Sequence, residues 1–355
     1  MNEDAVKLTS YFGERHRTTE GRFSADALLD LYGRHEVATS ILLRGAEGFG
    51  PKRHPRTDMS LTLSEDLPLI AVAVDSRSRI EPLVETAARL TGTGLVTLDG
   101  ARLLSGDIET GDIEAVTLRE GMNEETKLTV YVGRQERVYR MPAFMAVCDL
   151  LYRRGVAGAT ALLGVDGTAH GHRERASFFS RNAATPMMVI AVGSGTRIAR
   201  VLPELGGLLR RPLLTLERVQ ICKRNGKLLC PPSALPGTDQ TGMPLWHKLM
   251  IYTSEAAMHN GQPVHRAIVR GLQAAGVAGA TTQRGVWGFH GDHAPHGDRL
   301  LQLGRHVPVV TIVIDSPERI ATAFAVVDEL TAEQGLVTSE TVPAMRPAGS
   351  SLLRE

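Results

Sequence analysis

The sequence predicts an α+β protein built from three tandem copies of one unit, and three sets of recurring residues support this prediction. A Lys-Leu-x-x-Tyr segment starts at Lys7, Lys127 and Lys248, at intervals of 120 and 121 residues. Two further patterns return in the same order in every copy: Gly45/Gly48, Gly164/Gly167 and Gly285/Gly288, then Leu95-Val96-Thr97, Leu213-Leu214-Thr215 and Leu336-Val337-Thr338. A pattern that recurs at a fixed interval is typical of a duplicated structural unit.

Within each copy the hydrophobic periodicity alternates between that of a strand and that of a helix. In the first copy a strand at the Lys-Leu-x-x-Tyr segment precedes a helix whose apolar residues are Ala25, Leu28, Leu29 and Tyr32. A second strand runs into the glycine pair, and a third strand, a second helix and a short fourth strand follow. The order β-α-β-β-α-β predicts a ferredoxin-like unit, in which both helices cover one face of an antiparallel sheet.

The third strand of each copy is almost continuously apolar, at residues 69–74, 187–192 and 309–314. Strands of this kind are buried on both faces. Because the helices cover only one face of the sheet, we expect the other face to meet the sheets of the two sister copies. The predicted architecture is therefore three ferredoxin-like units packed as an intramolecular pseudo-trimer.

Composition places the boundaries between the copies. Residues 105–124 are acidic, and residues 223–244 are rich in proline and glycine, as in an extended spacer. The expected organisation is unit 1 at 5–104, an acidic linker at 105–124, unit 2 at 125–222, a Pro/Gly linker at 223–244, unit 3 at 246–342 and a tail at 343–355.

The bulk composition favours a soluble, cytoplasmic protein. The formal net charge is +1, so no overall field attracts nucleic acid or a membrane. An odd set of three cysteines in 355 residues is typical of a reducing compartment. The first residues lack the features of a signal peptide, and the longest apolar runs span six residues. We therefore expect a monomeric chain that neither binds nucleic acid nor inserts into a membrane.

Four segments of the first copy resemble a known family. They are the Lys-Leu-x-x-Tyr segment, residues 38–50 (ATSILLRGAEGFG), residues 63–68 (LSEDLP) and residues 94–98 (GLVTL). Together they resemble the domain of unknown function 190 family, which is itself similar to the PII signalling proteins. The third copy keeps Arg284-Gly285-x-x-Gly288-Phe289, and the second copy is the most divergent. The resemblance implies ferredoxin-like units that associate in threes, a loop between the second and third strands, and ligand pockets between neighbours.

One segment departs from the pattern of the PII proteins that bind ATP. Those proteins carry a glycine-rich segment with a basic residue after the third strand. Here the corresponding segments are 75–79 (DSRSR), 193–197 (GSGTR) and 315–319 (DSPER), and only the second is rich in glycine. The resemblance therefore does not assign ATP to this chain, and a nucleotide is one candidate ligand rather than an implied one.

The candidate ligand-binding residues are the glycine pairs and the basic residues near them. Backbone N–H groups of glycines can approach an anion closely, and arginine or lysine can hold a phosphate or a carboxylate. A strand end that needs glycine for its own conformation, followed by a solvated basic loop, accounts for the same residues and is the commoner outcome. The candidates are Arg44, Gly45, Gly48, Lys52, Arg53, Arg56, Gly164, Gly167, Arg173, Arg284, Gly285 and Gly288.

The third copy contains a histidine-rich segment, in which His290, His293 and His296 recur at intervals of three. Imidazole is a good ligand for zinc, so these residues form a candidate metal site. Neither a His-Glu-x-x-His motif nor a pair of Cys-x-x-Cys motifs frames the cluster, and a solvated loop is the favoured interpretation.

The sequence contains no recognisable catalytic set of a nucleophile with a base, a carboxylate pair or a phosphate-binding loop. We therefore expect a non-catalytic regulator that binds a small anionic ligand between its units and acts on a partner protein. Two alternatives stay open: a metal-binding or metal-sensing protein that uses the histidine-rich segment, and a scaffold for partner docking.

Overall fold

The computed structural model describes residues 5–51, 56–57, 66–106, 108, 124–169, 172–173, 185–290, 295–297 and 307–346. Within these residues all three units contain the predicted succession of two helices and four main strands, with short additional strands between them. The fourth strand was predicted to be short, but it spans 11, 12 and 10 residues in the three units, because it continues into pairing with another unit. Unit 1 contains β1 (Ala5–Gly13), α1 (Ser24–Arg34), β2 (Thr39–Arg44), β3 (Glu47–Phe49), β4 (Arg56–Thr57), β5 (Pro68–Ser76), α2 (Arg77–Thr91) and β6 (Leu95–Ser105).

The second and third units repeat this succession. Unit 2 contains β7 (Glu124–Gly133), β8 (Arg137–Val138), β9 (Met141–Pro142), α3 (Ala143–Arg153), β10 (Gly158–Ala169), β11 (His172–Arg173), β12 (Pro186–Gly193), α4 (Gly195–Leu208), β13 (Leu213–Arg224) and β14 (Lys227–Leu228). Unit 3 contains β15 (Leu245–Ser254), β16 (Met258–His259), β17 (Gln262–Pro263), α5 (Val264–Ala274), β18 (Ala280–Arg284), β19 (Trp287–His290), β20 (His296–Gly297), β21 (Pro308–Asp315), α6 (Pro317–Leu330) and β22 (Leu336–Met345).

The four long strands of each unit form an antiparallel sheet in one order. In unit 1 this order is β2-β5-β1-β6, with Thr9 of β1 opposite both Val72 of β5 and Thr97 of β6. Unit 2 has the order β10-β12-β7-β13, and unit 3 the order β18-β21-β15-β22. The element succession predicted from periodicity therefore gives the same sheet three times.

The third long strand of each unit is buried on both faces, as its apolar sequence predicts. In β5, Ala71 and Ala73 pack with the helices of unit 1, whereas Ile70 and Val72 belong to a central core. Strands β12 and β21 alternate in the same way, and the central core contains residues of all three units. The two faces of each third strand thus pack against apolar residues, one inside the strand's own unit and the other between units.

Strand pairing joins the units in two closed circuits. In the first, the fourth strands pair with one another: β6 with β13, β13 with β22, and β22 with β6. In the second, the segment after each second strand pairs with the second strand of another unit: β3 with β18, β19 with β10, and the end of β10 with β2. Eighteen of the described strands consequently belong to one hydrogen-bonded sheet.

All three fourth strands extend past the predicted unit boundaries, β6 by one residue, to Ser105. Strand β13 runs to Arg224, within the predicted Pro/Gly linker, and turns through Asn225 and Gly226, both at positive φ, into β14. Strand β22 runs to Met345, and Ala344 lies opposite Thr97 of unit 1. These extensions provide much of the pairing between units. In the part of the chain that is described, no helix has both the length and the apolar character needed to span a bilayer.

Candidate functional site

A cleft opens between units 1 and 3, which we call the 1–3 cleft. Its volume is about 140 Å³. Strands β1, β3 and β5 of unit 1 form one wall, and β18 and β21 of unit 3 form the other. The lining residues that recur in a second cleft are Tyr11, Phe12, Phe49, Gly50, Pro68, Gly94 and Leu95 of unit 1, with Ala278, Gly279, Ala280, Thr281, Ile312 and Ile314 of unit 3.

The equivalent cleft between units 2 and 3, the 2–3 cleft, has a volume of about 100 Å³. Its walls use the equivalent positions, with unit 3 in the place of unit 1 and unit 2 in the place of unit 3. They are Tyr252, Thr253, Phe289, His290, Pro308, Gly335 and Leu336 of unit 3, with Ala157, Gly158, Ala159, Thr160, Ile190 and Val192 of unit 2. One substitution matters for size, because His290 of the 2–3 cleft stands where the 1–3 cleft has Gly50. The two clefts therefore share a scaffold and differ in their polar groups.

Two arginines, Arg56 and Arg346, and one histidine, His16, line the 1–3 cleft. Arg56 forms an ion pair of 2.9 Å with Asp66, and Asp66 also accepts a hydrogen bond of 2.7 Å from the Arg15 backbone N–H. The guanidinium of Arg346 lies over the ring of Trp246, 5.1 Å from its centroid. Burial is the main cause that lowers the pKa of Arg346, and its Nη1 has no hydrogen-bond partner among the described residues. A buried donor without a partner is costly, and an anion in the cleft would satisfy it.

In the 2–3 cleft, the guanidinium of Arg224 pairs with Glu125. The other polar residues of its described lining are Asn225, His290, Thr160, Tyr252 and Thr253, so this lining contains no ion pair equivalent to that of Arg56 and Asp66. The charges of the two clefts thus differ more than their shapes.

The predicted glycines lie where the units approach each other. A Cβ atom on Gly48 would lie 2.4 Å from the Ala280 carbonyl oxygen, and one on Gly167 would lie 2.3 Å from that of Ser40. The N–H groups of Gly45 and Gly285 donate to the carbonyl oxygens of Pro68 and Pro308, at 2.8 and 2.7 Å. Gly164 and Gly288 are equally close to backbone oxygens, those of Pro186 and Ala159. Close packing accounts for these glycines, and their contact with a ligand stays a prediction.

Two predicted basic residues are held by acidic neighbours. Arg44 pairs with Glu14 through Nη2 at 2.8 Å, and Arg284 pairs with Glu255 through Nε at 2.8 Å. The two pairs occupy equivalent positions in units 1 and 3. Both arginines lie outside the residues that line the two clefts, whereas Arg56 lines the 1–3 cleft.

Of the three remaining basic candidates, the structure describes only Arg173. Arg173 belongs to β11, opposite Thr168 of β10. Lys52 and Arg53 lie outside the described residues.

The histidine-rich segment spans two neighbouring strands. His296 of β20 is paired with Gly288 of β19, and His290 follows two residues further along β19. Residues two apart on a strand point to the same face, so His290 and His296 are diagonal neighbours. His293 lies outside the described residues, so the three-histidine site stays a prediction.

The acidic residue that starts the segment after the third strand in units 1 and 3 has a structural role. Asp75 accepts hydrogen bonds from the backbone N–H groups of Ala38, at 2.8 Å, and Ser76, at 2.6 Å. Asp315 accepts equivalent bonds from Ala278 and Ser316. The carboxylate thus joins the starts of the second strand and the second helix, and Gly193 takes its place in unit 2.

A buried charge network, here called the axial network, lies at the centre of the molecule and was not predicted from the sequence. Its cations are the lysines of the three Lys-Leu-x-x-Tyr segments, and each carboxylate comes two residues after a Leu-x-Thr segment. The members are Lys7, Lys127, Lys248, Asp99, Glu217 and Glu340, and none is more than 8% exposed.

Three of the five ion pairs in the axial network cross from one unit to another, those of Lys7 with Glu217, Lys127 with Glu340 and Lys248 with Asp99, and the other two lie within a unit. Lys127 contacts Glu217 at 2.8 Å and Glu340 at 2.6 Å, and Lys248 contacts Asp99 at 2.6 Å and Glu340 at 2.7 Å. Lys7 pairs with Glu217. Three positive and three negative charges therefore alternate around the point where the units meet.

The pKa values show how strongly these charges depend on one another. Burial opposes the ionisation of Glu217, but Lys127 and Lys7 outweigh it and hold its pKa below the usual range. Burial also opposes the charge of Lys248, and Asp99 and Glu340 outweigh it and raise its pKa. For Lys7 burial prevails and its pKa is lowered.

The three carboxylates of the axial network could also be considered as metal ligands, since one oxygen of each lies within 4.8 Å of the others. The lysine ammonium groups already neutralise them, which makes an ion-pair network the better description. The sequence does contain a signal for the axial network. Two residues after each Leu-x-Thr segment the sequence has an acidic residue, and each Lys-Leu-x-x-Tyr segment supplies a lysine. In the structure, the strands that carry these lysines are otherwise mostly buried.

Comparison with known proteins identifies the same three units. The profile of the DUF190 family, described as uncharacterized ACR, matches residues 5–103, 125–221 and 246–344. A UPF0166 protein of Aquifex aeolicus (strain VF5) is 30% identical over 95 residues, which is 26% of this chain and 88% of that protein.

Among solved structures, an aspartate kinase from Synechocystis aligns over 95% of this chain and 43% of its own length, with 10% identity and a TM-score of 0.21. The chain spans less than half of that kinase, and the overlap is too poor to support an argument.

Proposed function

The chain belongs to the DUF190 family, and we propose that it is a PII-like, non-catalytic regulatory protein that binds a small anionic ligand in clefts between its units and acts on a partner protein. In this proposal the three units are ferredoxin-like and form an intramolecular pseudo-trimer. The sheet order β2-β5-β1-β6 and the two closed circuits of strand pairing support that arrangement. Light scattering is then expected to give a monomer near 38.4 kDa, and a stable trimer of chains would contradict it.

The observation that carries the ligand proposal is the buried Nη1 of Arg346, a residue of the 1–3 cleft, for which the described residues provide no hydrogen-bond partner. A guanidinium that has lost water without gaining a partner favours a negatively charged group. The cleft also contains Arg56, and its walls are apolar at Tyr11, Pro68 and Ile312. Apolar walls with a few convergent polar groups are typical of small-molecule sites.

Calorimetric titration tests the proposal with ATP, ADP, AMP and cyclic AMP as probes. We expect at least one of them to bind, and Arg346→Gln to weaken that binding tenfold or more, because a hydrogen bond to a charged group contributes about 1.5–3 kcal/mol. Arg89→Gln is the matched control, since Arg89 is exposed on α2 and pairs with Glu85. The absence of binding by all four nucleotides would remove the nucleotide version of the proposal, and unchanged affinity in Arg346→Gln would remove the assignment to this cleft.

A metal-binding function is the second candidate, and the diagonal placement of His290 and His296 favours it. His290 also lines the 2–3 cleft, so a bound ion would lie at a boundary between units. Titration with zinc tests this function, and the combined replacement of His290, His293 and His296 by alanine is expected to abolish uptake. Equal uptake by the variant would contradict it.

A further inference from the structure

A small cavity lies at the centre of the molecule, apart from both clefts. Its volume is about 40 Å³. All three units contribute polar residues to its lining, which are Lys7, Lys127, Lys248, Gln283, Thr9, Thr129 and Tyr11. None of the three carboxylates of the axial network is among its described lining residues. The cavity is therefore bordered by the cationic half of the network.

The side chain of Gln283 lines this cavity and has no hydrogen-bond partner among the described residues. Its side chain is 2% exposed, and neither Oε1 nor Nε2 has a partner among the described residues. The equivalent residues of units 1 and 2 are Leu43 and Leu162, which also belong to the central core. A buried amide with no partner costs about 1–3 kcal/mol, so its presence in one unit alone calls for an occupant of the cavity.

We propose that the central cavity is a binding site for a small monovalent anion such as chloride. Lysine side chains from three units line one buried space, where charge interactions are stronger than in water. The Nε2 group of Gln283 and the hydroxyl groups of Thr9 and Thr129 add hydrogen-bond donors. One water needs roughly 10–15 Å³ of such volume, so the cavity has room for one halide with water and excludes a nucleotide.

The state of Lys7 is consistent with an anion at this place. Burial lowers its pKa, Glu217 opposes this, and the positive charges of Lys127 and Lys248 lower the pKa further. An anion among the three ammonium groups would offset this repulsion, whereas neutral water would not.

Crystals of the full chain grown in sodium bromide distinguish the anion from water. The expected result is one anomalous peak inside the central cavity, within contact of the lysine Nζ atoms. Density for water without anomalous signal would overturn the proposal.

Thermal unfolding in solution gives an independent test. At constant ionic strength, replacing gluconate by chloride is expected to raise the melting temperature of the wild type, because an anion that binds only the folded state stabilises it. Gln283→Leu, which places the residue of the sister units there, is expected to lose most of this shift. Met250 lines the same cavity and carries no side-chain hydrogen-bond donor, so Met250→Leu is expected to retain the shift.

A full chloride shift in Gln283→Leu would overturn the assignment of the anion to this cavity. Arg346→Gln is expected to leave both the bromide peak and the chloride shift unchanged, so a failure of the nucleotide proposal and a failure of this one can be told apart.

Discussion

The axial network and the clefts between units differ in how far the three copies agree. At the axial network every unit supplies a lysine and a carboxylate at equivalent positions, and each ammonium pairs across a unit boundary. The clefts share apolar walls, but the 1–3 cleft contains Arg56, Asp66 and Arg346 where the 2–3 cleft has Arg224 and His290. The positions at which the three copies carry the same type of charge are thus those that hold the units together. Divergence is concentrated where a ligand would be recognised.

The largest expected effect follows from breaking the axial network at Lys127, which is 2% exposed and contacts two carboxylates. Lys127→Met leaves Glu217 and Glu340 without their shared partner. Removing one member of a buried ion pair typically costs about 3–5 kcal/mol. We expect a loss of that size in the free energy of unfolding, measured by urea denaturation.

Arg89→Met is the control for this loss, because the Arg89–Glu85 pair lies on the surface and such pairs contribute about 0–1 kcal/mol. If both variants lost the same small amount, the axial network would not be what joins the units.

A second prediction concerns acid denaturation and Glu217. The folded-state pKa of Glu217 is held below its unfolded value, so its contribution to stability is fully present above about pH 4.3, the unfolded value. That contribution is lost as the pH falls from there toward the folded-state pKa. We expect Glu217→Gln to reduce the slope of unfolding free energy against pH below about pH 4, by at most ~1.4 kcal/mol per pH unit for one proton.

Glu85→Gln serves as the comparison on the surface, because Glu85 pairs with Arg89 in an exposed position and such pairs contribute about 0–1 kcal/mol. An unchanged slope in Glu217→Gln would show that this carboxylate is not stabilised by the lysines.

A third prediction tests the contact between units at the glycine pair. A Cβ atom on Gly48 would lie 2.4 Å from the Ala280 carbonyl oxygen, whereas nothing lies within 4 Å of one on Gly50. We expect Gly48→Ala to lower the melting temperature, with a cost of about 1–3 kcal/mol from overpacking. Gly50→Ala, two residues away, is expected to have little effect, and similar losses in both would refute the packing explanation.

The fold was largely predictable from the sequence because its signals are local. Periodicity gave the element succession, and the apolar third strands indicated burial on both faces, which Ile70 and Ala71 satisfy on opposite sides of β5. The pairing between units was not local. Lys7 and Glu217 are 210 residues apart, and no short pattern indicates that they meet.

The candidate site was only partly predictable, for a similar reason. Arg56 was selected as a basic loop residue and does line the 1–3 cleft, but Arg346 was not selected, because it lies in the predicted tail. The glycine pairs were selected as candidate anion-binding groups, but the N–H groups of Gly45 and Gly285 donate hydrogen bonds to proline carbonyl oxygens. A repeated glycine indicates a repeated close contact, and the sequence does not say whether that contact is with a ligand or with backbone.

The smallest expected effect concerns the difference between the clefts at a single position. His290 occupies part of the 2–3 cleft where the 1–3 cleft has Gly50, and the volumes are about 100 and 140 Å³. If the side chain alone closes the 2–3 cleft, His290→Gly should add a second nucleotide-binding site, visible in calorimetry as a rise in stoichiometry. We expect instead a change in affinity of less than tenfold and no second site, because Arg224 is already paired with Glu125 and leaves that cleft without a free cation among its described lining residues. A second site in His290→Gly would mean that shape, rather than charge, separates the two clefts.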